Sequence, residues 1–232
     1  MVTDRPNFTE SSETVPRGLV QLESGVTLAR DGDIRAAAIG EALVRIGLAP
    51  RGEVRVGLNS YAVERAGGMT ARGLQDMSLG AKVKLVEGGT TGSLKPTIAV
   101  VAASSLPTGA SAFRAPKLQP EVKLAGAWTI SDRLSFSSNM NYAWVRERSA
   151  TYGEPSASAS LGIGLTDRVG SYVEYYGFYP RTDDAPRTHV ADGGLTFAVT
   201  HNTQLDWRVG SQLRRTSAGA SYFVGVGFAR RW

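Results

Sequence analysis

No cysteine occurs among the 232 residues, so neither a disulfide framework nor a thiolate metal site can form. A metal would have to rest on carboxylates and two histidines, and no cofactor is expected. No window reaches the roughly 20 consecutive apolar residues that a spanning helix needs, which excludes a helical membrane protein. Phosphate loops of the GxxxxGK type and zinc-ligand spacings are also missing, and "EGGTTGS" at 87–93 reads as a flexible turn. A secretory leader is not seen: Met1 is followed by the polar "VTDRPNFTESSETVP", as expected of a cytosolic chain or of a mature exported one given a new start codon.

Alternation is what the chain has in abundance, together with 27 glycines. About twelve period-two segments follow one another, near 18–29, 34–47, 53–63, 73–87, 94–106, 117–130, 133–145, 155–166, 169–179, 189–200, 203–214 and 219–232. Short turns at "APRGE", "TISDRL", "LTDRVG" and "VTHNTQ" alternate with longer polar connections at "ERAGGMTARG", "LPTGASAFRAPK", "RERSATYGEP" and "PRTDDAPRTH". Turns on one side and loops on the other suggest an all-β chain, an antiparallel transmembrane β-barrel of about 12 strands with both termini in the periplasm. Residues 1–17 precede it as a periplasmic or plug-like segment, and 18–232 form the barrel.

Parity assigns the faces. Leu205, Trp207, Val209 and Leu213 alternate with Asp206, Arg208, Gln212 and Arg214; Tyr222, Val224, Val226 and Phe228 alternate with Phe223, Gly225, Gly227 and Ala229. A basic side chain facing lipid at mid-bilayer costs about 2–4 kcal/mol, so the apolar parity belongs to lipid and the charged parity to a lumen. The lumen-lining set is then Glu23, Glu41, Arg45, Arg55, Lys82, Glu121, Lys123, Glu174, Asp206 and Arg208, with Tyr172, Tyr176 and Phe178 from "TDRVGSYVEYYGFYP" at 166–180. Both signs occur on adjacent strands, which suggests cross-strand ion pairs. The three aromatics either fill the lumen or line a passage for apolar or aromatic cargo. Twelve strands tilted near 40° give a backbone diameter of roughly 24 Å and a gap on the order of 10 Å between inward side chains.

"TDRPNFTES" at 3–11, "RGLVQLESGVTLARDG" at 17–32, "SLPTG" at 105–109, "LTDRVGSYVEYYGFYP" at 165–180, "DGGLTF" at 192–197, "QLDWRVG" and "FVGVGFARRW" together resemble the bacterial outer-membrane family labelled for a meta-pathway of phenol degradation. The resemblance spans almost the whole chain. It implies an outer-membrane barrel, a channel for hydrophobic or aromatic compounds, and no catalytic residues. Such barrels end in an aromatic residue read by the barrel assembly machinery; Trp232, Phe228 and Tyr222 fit that frame, while Arg230 stands where an apolar residue is expected and can snorkel to headgroups.

Two other classes are compatible with such a barrel. A lipid hydrolase would need His189, by parity on the lipid side near the outer rim, with Ser211 or Thr216 as nucleophile, because His201 lies in a short turn. No local motif supports it. A structural or lipid-binding barrel with a plugged lumen is the other alternative. The formal net charge of +5 does not point to nucleic acid. The six connections assigned to the outer side carry twelve basic residues (Arg30, Arg35, Arg65, Arg72, Arg114, Lys117, Arg146, Arg148, Arg181, Arg187, Arg214, Arg215) against seven acidic ones, a difference equal to the whole net charge. Such a rim suits outer-membrane lipid, lipopolysaccharide above all. Finally, residues 1–16 are too polar for lipid, and Asp4, Arg5, Glu10, Glu13 and Phe8 suit a charged lumen with Tyr172, Tyr176 and Phe178 nearby.

Overall fold

The computed structural model describes residues 1–147, 150–213 and 221–232, and all the regular elements among them are strands. These are β1 (Val20–Asp31), β2 (Ile34–Ile39), β3 (Leu43–Ala49), β4 (Gly52–Gly57), β5 (Tyr61–Ala66), β6 (Met69–Leu74), β7 (Met77–Val86), β8 (Thr97–Leu106), β9 (Gln119–Ser131), β10 (Leu134–Arg146), β11 (Thr151–Gly164), β12 (Val169–Phe178), β13 (Thr188–Thr200), β14 (Thr203–Gln212) and β15 (Ser221–Arg231). Neighbours pair antiparallel, and β15 returns to pair with β1 from Gln21↔Arg231 to Asp31↔Ser221, which closes the sheet. No helix is long and apolar enough to cross a membrane among the described residues, and strands do not need one.

Fifteen segments make twelve staves, because three neighbouring staves are each broken once. β2 and β3 are separated at 40–42, β4 and β5 at 58–60, β6 and β7 at 75–76. At the first break Gly40 has φ 79°, and the amides of Gly40 and Glu41 both donate to the Gly25 carbonyl at 2.9 and 3.1 Å. Two residues thus oppose one, as in a β-bulge, and the face that points inward changes. Above the break Ala36 and Ala38 lie opposite Ala29 and Thr27; below it Arg45 lies opposite Gln21. The unbroken alternation read over 34–47, 53–63 and 73–87 is corrected accordingly. On its far side β6 has no strand partner among the described residues; the segment 107–118 folds against this end, with Ala110 N donating to Leu74 O at 2.8 Å and the Asp76 carboxylate accepting from Gly109 N and Ala115 N.

The outer connections at 107–118 and 179–187 are long, as expected, but two others assigned to that side need correction. "ERAGGMTARG" is not a long loop but the hairpin β5–β6, turned at Gly67 and Gly68 with φ 55° and 79°, values that only a residue without Cβ adopts freely at both central positions. The β1–β2 connection is equally tight, at Gly32 and Asp33. Arg30, Arg35, Arg65 and Arg72 therefore lie within strands rather than in loops, and so does Arg146, the last residue of β10. Arg148, Arg214, Arg215 and Thr216 lie outside the described residues.

Burial is inverted relative to a water-soluble protein. Arg45, Lys82, Gln21, Glu23, Asn139 and Asp206 are among the largest fully enclosed side chains, whereas Leu205, Trp207 and Val209 on β14 and Tyr222, Val224, Val226 and Phe228 on β15 are exposed. Leaving such an apolar belt in water would forgo roughly 25 cal/mol per Å² of apolar area, so the solvent that fits the outer wall is hydrocarbon. Tyr222 and Trp232 bracket the belt at opposite ends of the last strand. Arg230 faces outward opposite Leu22, and its guanidinium lies 5.4 Å from the centre of the Trp232 ring.

Candidate functional site: an occupied lumen

The barrel interior holds residues 1–16 of its own chain. The wall prepares two arcs of opposite sign for them. From β3 to β9, Arg45, Arg55, Lys82, Lys84 and Lys123 outnumber the acids Glu53, Glu64 and Glu121; from β12 to β14 and at the bulge, Glu174, Asp192, Asp206 and Glu41 outnumber Arg208. The segment presents the matching charges in order.

Asp4 meets the basic arc. Its carboxylate lies 2.5 Å from Arg55 Nη1, 3.0 Å from Lys82 Nζ and 3.4 Å from Arg45 Nη1, and accepts from Ser11 N at 2.8 Å. Burial alone would raise the Asp4 carboxyl, but Arg45, Lys82 and Arg55 together hold it well below the usual carboxylate range. Glu10 bridges Arg55 at 2.8 Å and Lys123 at 2.6 Å; burial opposes its ionisation too, and these two cations again win. Glu13 pairs with Lys84 at 3.0 Å. Arg5 reaches the acidic side, 3.1 Å from Glu41 and 3.5 Å from Asp206. It lies against Gly25 and Gly227, where a Cβ would collide with its guanidinium.

Wall carboxylates also hold the segment's backbone. Glu23 accepts from Asp4 N and Arg5 N at 2.9 and 2.8 Å and from Arg45 Nη1 at 3.0 Å. Glu174 accepts from Phe8 N and Thr9 N at 2.7 and 2.8 Å, and Glu53 from Val15 N at 2.7 Å. Direct wall-to-wall pairs are fewer: Arg45–Glu53 at 2.8 Å, Arg45–Glu23, Arg55–Glu53 at 2.9 Å, Lys123–Glu121 at 3.3 Å and Arg208–Glu41 at 3.7 Å. Arg208 donates in addition to Pro6 O and to Thr27 Oγ1. Among the described residues no group of metal-ligating side chains gathers.

Phe8 is the apolar tip. Its ring stacks on Tyr176 at 4.3 Å and meets Phe178 edge-on at 5.3 Å. Tyr172, two residues beyond Glu174 on the same face of β12, is almost fully enclosed. Above Phe8 a cavity of about 370 Å³ is lined by Tyr176, Phe178, Val190 and Phe223, with Asp31 and Gln212. A second hollow of about 170 Å³ shares Ala29 and Ala36 with it and runs under Phe113 to Glu41 and Gln75. The lumen-lining set read from the sequence omits Glu53 and Asp192, and omits Lys84 and Phe223 although alternation places both on the inner face; Glu53 shares the inward parity of Arg55. Phe113 could not have been found, since its segment has no period.

A family profile described as "Putative MetA-pathway of phenol degradation" matches residues 3–232. The chain belongs to that family. Among solved structures, the chain is similar to an outer membrane channel from Pseudomonas putida F1, with TM-score 0.71 and 10% identity over 98% of this chain and 99% of that one. It is also similar to the NanC porin (TM-score 0.64, 8% identity, 90% and 98% covered) and the KdgM porin (0.59, 11%, 90% and 98%). At these identities the likeness shows the closed twelve-stranded antiparallel barrel. No functionally described protein matches at the level of sequence.

The two histidines lie in different parts of the barrel. His189 Nδ1 lies 2.6 Å from the Tyr175 hydroxyl, and its ring packs edge-on against Tyr179 at 5.6 Å. Ser211 Oγ donates to a backbone carbonyl, that of Ser221. His201 sits in the two-residue turn between β13 and β14.

Proposed function

We propose that the chain is an outer-membrane channel whose lumen is narrowed by its own N-terminal segment and whose outer mouth admits small hydrophobic or aromatic compounds. The observation that carries the reading is the cavity above Phe8, where the rings of Phe8, Tyr176, Phe178 and Phe223 converge. Offset and edge-on ring contacts contribute about 0.5–1.5 kcal/mol each beyond area burial, so such a mouth concentrates planar apolar solutes. Ion pairs between the segment and the wall hold the basic arc below the cavity.

The test is uptake of a small phenolic solute into liposomes carrying the protein. Phe8→Ala is expected to slow saturable uptake of the phenolic solute while leaving uptake of a small neutral sugar unchanged. Equal effects on both solutes would overturn the aromatic selectivity. A closed, structural barrel is the second reading, favoured by the complete enclosure of Lys82, Glu23 and Asp206; it predicts no solute flux at all.

A further inference from the structure

On the lipid-facing wall, Arg30 of β1, Arg35 of β2 and Arg65 of β5 lie in one register row, Arg30↔Arg35 and Arg35↔Arg65. Directly opposite residues on neighbouring strands stand about 4.5–5.5 Å apart, and like charges so placed repel. Among the described residues none of the three forms an ion pair, and the carboxylate of Glu64 lies on the opposite face of β5. Arg30 Nε donates once, to Gly32 O at 3.0 Å. The row continues on β15 as Tyr222, opposite Arg30.

Below this row the wall becomes apolar. Val224, Leu28, Ala37 and Val63 form the next row, and Val226, Val26, Ile39 and Tyr61 the one after. Ala37 is the small member, and over it the surface sinks into a groove of about 690 Å³, walled by Leu28, Val224 and Tyr222 on one side and Val63 on the other, with the three arginines at its upper end. Three guanidiniums without an ion pair among the described residues, capping an apolar groove level with an interfacial tyrosine, describe a receptor for a headgroup with a chain attached.

We propose that this groove binds a phosphorylated lipid of the outer leaflet, the lipid A portion of lipopolysaccharide. A phosphate would accept charge-assisted, bidentate hydrogen bonds from the arginine row, and an acyl chain would lie over Ala37 between Leu28 and Val63. The phosphate supplies the counter-charge that the row lacks, which is why one anionic lipid and not a neutral one is the fitting occupant. The inference rests on the outer-membrane location and not on the cargo.

Native mass spectrometry of the detergent-solubilised full chain, titrated with bisphosphoryl, monophosphoryl and phosphate-free lipid A, reads the site directly. The intact protein is expected to retain bisphosphoryl lipid A at least tenfold more tightly than the phosphate-free form. The triple variant Arg30→Gln, Arg35→Gln, Arg65→Gln should lose that preference, whereas Arg114→Gln, Lys117→Gln, Arg181→Gln, in the loops, should keep it. A heat-modifiable gel shift verifies that each variant is folded, and Ala37→Trp, which fills the groove without touching the charges, should weaken all three lipids. Equal retention of phosphorylated and phosphate-free lipid would overturn the proposal, as would equal loss in the loop triple. Displacement of the lipid by millimolar inorganic phosphate would also overturn it, by reducing the site to a free-anion site.

Discussion

Asp4→Ala removes the one carboxylate that faces Arg45, Arg55 and Lys82 together. Taking away one partner of a buried ion pair typically costs about 3–5 kcal/mol, because the remaining charge is left uncompensated. Here part of that cost is recovered if the segment leaves and water enters, so the cost falls on docking rather than on the barrel. At about 1.4 kcal/mol per decade the undocked fraction should rise by roughly two to three and a half decades. The absence of cysteine makes the measurement clean: Ser12 is 1% exposed and its hydroxyl makes no hydrogen bond, so Ser12→Cys introduces a single buried thiol at little cost. Its maleimide labelling rate scales with the undocked fraction and should rise at least a hundredfold in the Asp4→Ala background. Adding Lys82→Met, which deletes the cation left bare, should recover part of the protection. Labelling within a few-fold of the parent would refute the claim that the Asp4 cluster holds the segment.

The other predictions concern the wall and the lumen as a whole. Val209→Arg, on the lipid face, should abolish the heat-modifiable folded form at a cost of about 2–4 kcal/mol, whereas Gln212→Arg, on the inner face, should leave it; equal damage would sink the face assignment. Because Asp4 and Glu10 are held below their ordinary values, their contribution to docking is fully present above the usual carboxylate range near 4 and is lost only as pH falls through the lowered values. Ser12→Cys labelling should accordingly be flat from about pH 5 upward once corrected for thiolate fraction, and conductance should rise only below about pH 4; a rise between pH 5 and 8 would contradict that sign. Deleting residues 2–14 should enlarge single-channel conductance and leave the gel shift intact.

Much of this architecture is legible in the residues because a bilayer tolerates one pattern per strand. Leu205, Trp207 and Val209 against Asp206 and Arg208 leave a single way to face lipid, and the register of β14 follows from it. The bulges were not legible: at Gly40 a single glycine with positive φ reverses the parity, yet glycines are frequent throughout and most change nothing. The "AGGM" hairpin did carry its signal, since Gly-Gly between alternating runs favours a two-residue turn; the polar residues around it made it read as a loop, and Arg65 and Arg72 were misplaced with it. Composition alone suggested a segment suited to the lumen. Which acid meets which base was beyond it, because Asp4 and Lys82 are 78 residues apart and meet only once the barrel has closed.

Recording in planar bilayers tests the central claim most directly. The full-length chain should give small, discrete current steps with weak ion selectivity, and a phenolic solute added on the outer side should interrupt them with resolvable blocks that vanish in Phe8→Ala. Absence of any current, from the full chain and from the chain lacking residues 2–14 alike, would contradict a channel and leave a structural barrel.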